Sequence, residues 1–212
     1  MFKHYTQSTI LIQEEIENTT TTIIIDPFKI SQKNLPKADI LLISHSHKDH
    51  YSLEDINSVL TSNTTVISSM DIPTIDSCKE HIKLLPTQHI EINNISITAT
   101  PAYNTNKEFH PKENNWLGFY IQTPLSTYYF VGDSDSIEEF SKYSQPDVAF
   151  IPISGTYVMN VEEAVLAITQ KIKPKLTIPC HFAEVVGTLE DAQEFVELLK
   201  EKNYNAKIIK EE

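Results

Sequence analysis

The run Ile40-Leu41-Leu42-Ile43-Ser44-His45-Ser46-His47-Lys48-Asp49-His50 limits what this chain can fold into more than any other stretch. Four aliphatic residues in a row, bounded by polar ones, fit a short strand buried on both faces. The strand empties abruptly into a loop in which His45, His47, Asp49 and His50 stand within six positions. On extended backbone, side chains two apart share a side, so His45 and His47 can reach one point from the strand's end. Asp49 and His50 follow where the chain turns. Imidazole nitrogen together with carboxylate oxygen is a donor set that Zn²⁺, Mn²⁺ or Fe accepts. A lone histidine here would read as a satisfied core or surface group. Such groups packed at the mouth of one buried strand read as a metal site.

The same event recurs twice. Apolar residues 127 to 131 run into Gly132-Asp133-Ser134, and Leu176-Thr177-Ile178 is followed by Pro179-Cys180-His181. Taken singly, Asp133 reads as a turn residue and His181 as a histidine at the core's edge. Ligand groups brought together from several strand ends are how a metal cage is built on one rim of a sheet. Cys180 adjoins His181, but alternation along a strand turns its side chain the other way.

Around these points the chain alternates between strand and helix signals. Residues 4 to 12 and 19 to 25 read as a β-hairpin closed by Asp26-Pro27-Phe28. Ser52 and Asp55 open a short helix. Residues 64–68, 82–85, 90–100, 116–123, 127–131 and 148–153 read as strands, with a turn at Asn93-Asn94. Residues 72–79 and 137–143 are expected as short helices, 161–172 and 188–202 as amphipathic ones, and 206–209 as a closing strand. The longest stretch without periodicity, 101 to 115, has the length of a functional loop. No repeat or linker interrupts the pattern, so residues 1–212 are expected to form a single domain.

Charge narrows the partners. Seventeen Lys and Arg against 29 Asp and Glu give a net charge of -12, which repels phosphate backbones and disfavours nucleic acid. Cys78 and Cys180 do not make a disulfide framework. No apolar run approaches the ~20 residues that span a bilayer, and the start lacks a secretory pattern. A cytoplasmic protein that does not touch membranes is expected.

The His45-x-His47-x-Asp49-His50 run, Asp133 after its strand, and His181 resemble the metallo-β-lactamase fold superfamily. Asp26-Pro27-Phe28 and Ile151-Pro152-Ile153-Ser154-Gly155-Thr156-Tyr157 are similar to its small single-domain metal-dependent hydrolases, in the ascorbate-6-phosphate lactonase-like branch. The resemblance covers nearly the whole chain and implies an α+β fold, a four-layer αββα sandwich with two divalent ions at one edge of its sheets. It implies His45 and His47 as ligands of the first metal. Asp49, His50 and His181 would serve the second, and Asp133 would bridge both. The family usually offers the first metal a further histidine, where this chain has Asn104. His110, Asn104 through its amide oxygen, or no protein ligand are the alternatives there.

The reaction follows from the ligands: a water activated by two such ions would hydrolyse a small molecule (lactone, ester or phosphodiester), with Asp133 shared between the ions and Asp49 expected to accept the water's proton, so that these two are the candidate catalytic carboxylates. Zn is the leading metal, with Mn or Fe next. Tyr103, Asn104, Thr156 and Tyr157 are candidates for substrate contact, with Lys107, Lys112 and Asn114 in the same loop. Two rival readings stay open: a phosphodiesterase or nuclease on small nucleotides, and a metal-binding sensor or assembly protein without turnover. A homo-oligomer is open as well.

Overall fold

The structure is a computed structural model and describes residues 1–209. The chain divides into two compact units, Met1–Leu85 and Pro86–Ile209. Each carries one six-stranded sheet.

In the first unit the strands lie side by side in chain order: β1 (Phe2–His4), β2 (Ile10–Ile16), β3 (Thr19–Ile25), β4 (Ile40–Ile43), β5 (Thr65–Ser68) and β6 (Glu80–Lys83). The strand expected over 4–12 is broken at 5–9, and β2, running on to Ile16, forms a hairpin with β3 in which Ile16 lies opposite Thr19. Its two-residue turn, Glu17-Asn18, takes positive φ at both positions (52° and 63°), the twist that suits a tight hairpin. From β3 onward the pairs are parallel. Parallel pairing sets strand ends side by side: Ile25 lies opposite Leu42, and the next amide, that of Asp26, donates to Leu42 O at 3.0 Å. All four residues of β4 are buried.

Helix α1 (Leu53–Val59) starts at Ser52, whose side chain accepts from the Asp55 amide. It lays Ile56 and Val59 on Leu11, Ile24, Leu41, Ile43 and Val66. Each such aliphatic side chain stabilises the fold by roughly 1.5–3 kcal/mol when fully buried. Asp55 then turns back, and its carboxylate accepts the amides of Lys29, Ile30 and Ser31 at 2.7–2.8 Å. The helix expected at 72–79 does not form, and these residues are turns and bends. Ile72, Ile75 and Cys78 reach the core of this unit without a helix, and the Ile75 amide donates to His81 Nδ1.

The second unit orders its strands the same way: β7 (His89–Ile92), β8 (Ile95–Pro101), β9 (Leu117–Gln122), β10 (Thr127–Phe130), β11 (Val148–Pro152) and β12 (Leu176–Cys180). The first four pair antiparallel and the last three parallel. The β7–β8 turn is Asn93-Asn94, again with positive φ. Helices α2 (Val161–Leu166) and α3 (Leu189–Glu201) both open with a capping box, Asn160 with Glu163 and Thr188 with Asp191. They bury Ala164, Val165, Phe195 and Leu199 against Tyr129, Ala149 and Ile151. The single helix expected over 161–172 changes character at Ala167 and runs to Ile172 as π-helix. Residues 138–143 wind as a 3-10 helix. The strand expected at 206–209 reduces to one bridge between Ala206 and Thr177.

Each unit therefore supplies one sheet layer and one helix layer, the components of the expected α+β order. Among the described residues no helix is long and apolar enough to cross a membrane.

Candidate metal centre

The ligand-type side chains fall into two sets, one in each unit. In the first, a short turn does the gathering: the amides of His50 and Tyr51 both donate to His47 O, at 2.9 and 2.8 Å. That turn brings the ring of His50 to 4.1 Å from the ring of His45, while the ring of His47 stands 4.7 Å from that of His45. Asp49 Oδ2 lies 3.5 Å from His50 Nε2.

Behind this set stands Asp26, the residue that ends β3. Its Oδ1 accepts the Ser44 amide at 2.8 Å and its Oδ2 accepts the Ser44 hydroxyl at 2.6 Å. The same Oδ2 receives His50 Nδ1 at 2.8 Å. Ser44 has one hydroxyl proton and gives it to Asp26, so at 2.9 Å it accepts from His45 Nδ1. Both rings thus carry their proton on Nδ1 and present Nε2 as the coordinating nitrogen. A carboxylate or hydroxyl behind a ligand histidine is the usual way of fixing its tautomer and ring plane. Burial pushes the Asp26 carboxyl above the ordinary range, against the pull of His50 and Ser44.

The second set is held at the ends of β10 and β12 and by the 101–115 loop. Asp133 follows Gly132, whose φ is +73° and where a Cβ would sit 2.6 Å from Leu117 O. Only glycine fits there, which fixes the approach of the chain to Asp133. Asp133 Oδ2 lies 3.2 Å from His110 Nε2 and 3.0 Å from His181 Nε2, all three side chains being buried. Ser154 Oγ holds His181 Nδ1 at 2.9 Å. His110 Nδ1 faces two oxygens that carry no proton, Asn104 Oδ1 at 3.2 Å and Tyr157 O at 3.1 Å. Nδ1 is therefore the donor, and Nε2 is turned to Asp133.

Asn104 belongs to this framework. Its Oδ1 accepts the His110 amide at 2.9 Å and its Nδ2 donates to Tyr157 O at 3.0 Å. Tyr103 donates its hydroxyl to Glu139 at 3.0 Å and receives Lys112 Nζ at 3.0 Å. Lys112 also pairs with Glu139, and Lys107 pairs with Asp135 at 2.6 Å. Thr156 is exposed. Tyr157 packs edge-on to Phe109 with ring centres 4.6 Å apart.

Metal fits this donor set. Nitrogen and oxygen ligands bound at ~2.0–2.2 Å to a common ion stand roughly 3.0–3.5 Å from one another. The pairs Asp49–His50, His110–Asp133 and His181–Asp133 lie at 3.5, 3.2 and 3.0 Å. Four histidines also show the oxygen-backed Nδ1 that a metal ligand needs.

Sequence reasoning missed the residues behind the ligands: Gln7, Asp26 in this role, Ser44 and Ser154. For Asp26 a signal existed, since an acid that ends a strand parallel to β4 must finish beside the first ligands. Gln7 left none, because residues 4 to 12 read as one strand and nothing in the sequence marks position 7 as a turn.

Comparison with known proteins agrees with this geometry. The family model for the beta-lactamase superfamily domain matches residues 2–181. A UPF0173 metal-dependent hydrolase of Caldivirga maquilingensis is 30% identical over 196 residues, covering 85% of this chain and 83% of its own. Among solved structures, a protein of Parabacteroides distasonis named as a metal-dependent hydrolase has a TM-score of 0.82 at 25% identity, covering 98% of this chain and 91% of its own. The metallo-beta-lactamase fold protein YhfI of Bacillus subtilis has a TM-score of 0.73 at 16% identity, over 97% and 89% of the two chains. The chain belongs to the beta-lactamase superfamily and, with its relatives, to the metal-dependent hydrolases.

Proposed function

We propose that this protein hydrolyses a small neutral carboxylic ester or lactone at a pair of divalent metal ions, Zn²⁺ before Mn²⁺ or Fe. His45, His47, Asp49, His50, His110, Asp133 and His181 are the proposed ligands, and the whole chain acts as one catalytic domain. The observation that carries this reading is the backing of the histidines: His45, His50, His110 and His181 each have Nδ1 held by an oxygen. Four imidazoles with an oxygen behind Nδ1 and Nε2 on the other side is an arrangement that coordination uses and core packing does not require.

When bound, the ions would supply Lewis acidity, lowering the pKa of a water and polarising the scissile carbonyl. The chain's own part is orientation and proton handling. The convergence of His110 and His181 on one oxygen of Asp133 suits a carboxylate shared by two cations. Asp49 is the proposed acceptor for the attacking water's proton. Lys107 and Lys112, the loop cations that could hold a phosphate, are engaged by Asp135 and Glu139. That favours a neutral substrate over a phosphodiester. The net charge of -12 favours a small molecule over nucleic acid in the same way.

The test is elemental analysis followed by assays with chromogenic ester, lactone and phosphodiester substrates. About two metals per chain, with ester or lactone turnover lost to a chelator and restored by Zn²⁺, is the expected result. Turnover of the phosphodiester alone would replace the substrate class. One metal or none, with no turnover, would favour a sensor.

A further inference from the structure

Gln7 lies outside the ligand set, in the turn between β1 and β2, yet it is completely buried and its side-chain amide donates to Asp49 Oδ2 at 2.8 Å. We infer that Gln7 is a positioning residue for the Asp49 carboxylate, locking its rotation so that it meets the metal and the water in one orientation. The inference rests on the proposed role of Asp49.

Two features of the turn show that it is built to deliver this side chain. Gln7 has a φ of +48°, a left-handed backbone that crowds any residue carrying a Cβ. Glycine or asparagine would serve a bare turn better. The turn is also tied down on every side. His4 Nε2 holds Gln7 O at 2.9 Å, the Thr9 amide donates to Thr6 O at 2.7 Å, and the Tyr5 amide donates to Thr9 O at 3.0 Å. Thr9 Oγ1 in turn donates to Asp26 O at 2.8 Å and accepts the Phe28 amide at 2.9 Å. One frame thus carries Gln7 behind Asp49 and Asp26 behind His50.

The chemistry favours an amide here. A carboxylate ligand left to rotate loses affinity each time its oxygens turn away from the ion. A lysine or arginine could stop that rotation, but its positive charge would compete with the cation for the same carboxylate. A neutral amide orients without competing. Asparagine is one methylene too short to make the same contact from this turn.

The experiment compares wild type with Gln7→Met, which keeps length without a donor, Gln7→Asn, which keeps the amide without the reach, and Asp49→Asn. Each is titrated with Zn²⁺ against a chromophoric chelator and with Co²⁺ followed by its visible absorption. Fold is checked by circular dichroism. Both Gln7 variants are expected to fold, to bind Zn²⁺ about tenfold more weakly, and to shift the Co²⁺ band. In the ester or lactone assay they lower kcat with little change in KM. Wild-type Zn²⁺ affinity and an unchanged Co²⁺ band in either folded variant would overturn the inference. Should Asp49→Asn also bind Zn²⁺ as wild type does, the assignment of Asp49 fails. If Asp49→Asn weakens binding while the Gln7 variants do not, only the role of Gln7 falls.

Discussion

His50 Nδ1 stands 2.8 Å from Asp26 Oδ2, and neither side chain meets solvent. A buried carboxylate is costly unless its oxygens are satisfied. Here Ser44 supplies two donors and His50 a third. The contact is made possible by parallel pairing, which sets the end of β3 beside the end of β4. What looks like a strand stop in Asp26-Pro27-Phe28 is the anchor for a ligand histidine.

Replacing Asp26 with Ala should therefore act twice. Breaking the buried pair is expected to cost about 3 kcal/mol in urea unfolding, since Ser44 and His50 lose their acceptor in a dry site. Zn²⁺ affinity should fall between 10-fold and 100-fold as His50 loses its fixed ring plane. Asp26→Asn keeps one acceptor oxygen and sets an amide group against the donors of Ser44, so it should fall between wild type and Ala on both measurements.

Asn104 and His110 separate a ligand from its holder. Asn104 grips the backbone and ring of His110 and the carbonyl of Tyr157. Asn104→Ala should weaken Zn²⁺ binding about tenfold while leaving the number of metals per chain unchanged at saturation. His110→Ala should lose a metal outright. Equal effects in a chelator competition would count against this division of roles.

The contrast shows how much the sequence could tell. Ile40 to His50 is legible because an apolar run and its polar ending follow directly from strand periodicity. The strand ends that carry Asp133 and His181 are legible for the same reason. The 101–115 loop has no period, so choosing between Asn104 and His110 as the group that turns to Asp133 required coordinates. Gln7 lay further out of reach, since its partner Asp49 is made adjacent only by the sheet. At Ala167 the turn from α-helix to π-helix leaves the apolar spacing of 161–172 nearly unchanged, which hides it from pattern reading.

Gly118 offers a test of how tightly the Asp133 segment is seated. A Cβ at this position would lie 2.5 Å from Val131 O, 2.6 Å from Thr100 Oγ1 and 2.7 Å from Phe130 O. Two of these are backbone atoms that cannot swing aside. Gly118→Ala is expected to lower stability by about 3 kcal/mol, the upper end of ordinary overpacking. Because the strain falls on Val131, two residues before Asp133, Zn²⁺ binding should weaken as well. A variant that unfolds at the wild-type urea midpoint would show that β9 and β10 can shift apart freely.

His81 gives the fold a pH dependence that does not run through the ligands. On β6, its Nδ1 accepts the Ile75 amide at 3.1 Å, so Nε2 carries the proton and meets Ser68 Oγ at 2.8 Å. A second proton on the ring would set two N–H groups against each other at Nδ1. Burial, helped by Lys83 and opposed by Asp76, holds its pKa below the ordinary 6.5. In the unfolded chain the imidazole takes up its proton first, so between the two pKa values the unfolded state binds more protons. Stability from this residue is thus full above pH 6.5 and declines as pH falls below it, levelling off once the folded state is also protonated. Urea midpoints measured from pH 8 to pH 5 should show wild type losing more stability on acidification than His81→Gln, because only wild type carries this titration. Parallel curves for the two proteins would mean that the turn at Ile75 opens freely enough to admit the proton at no cost.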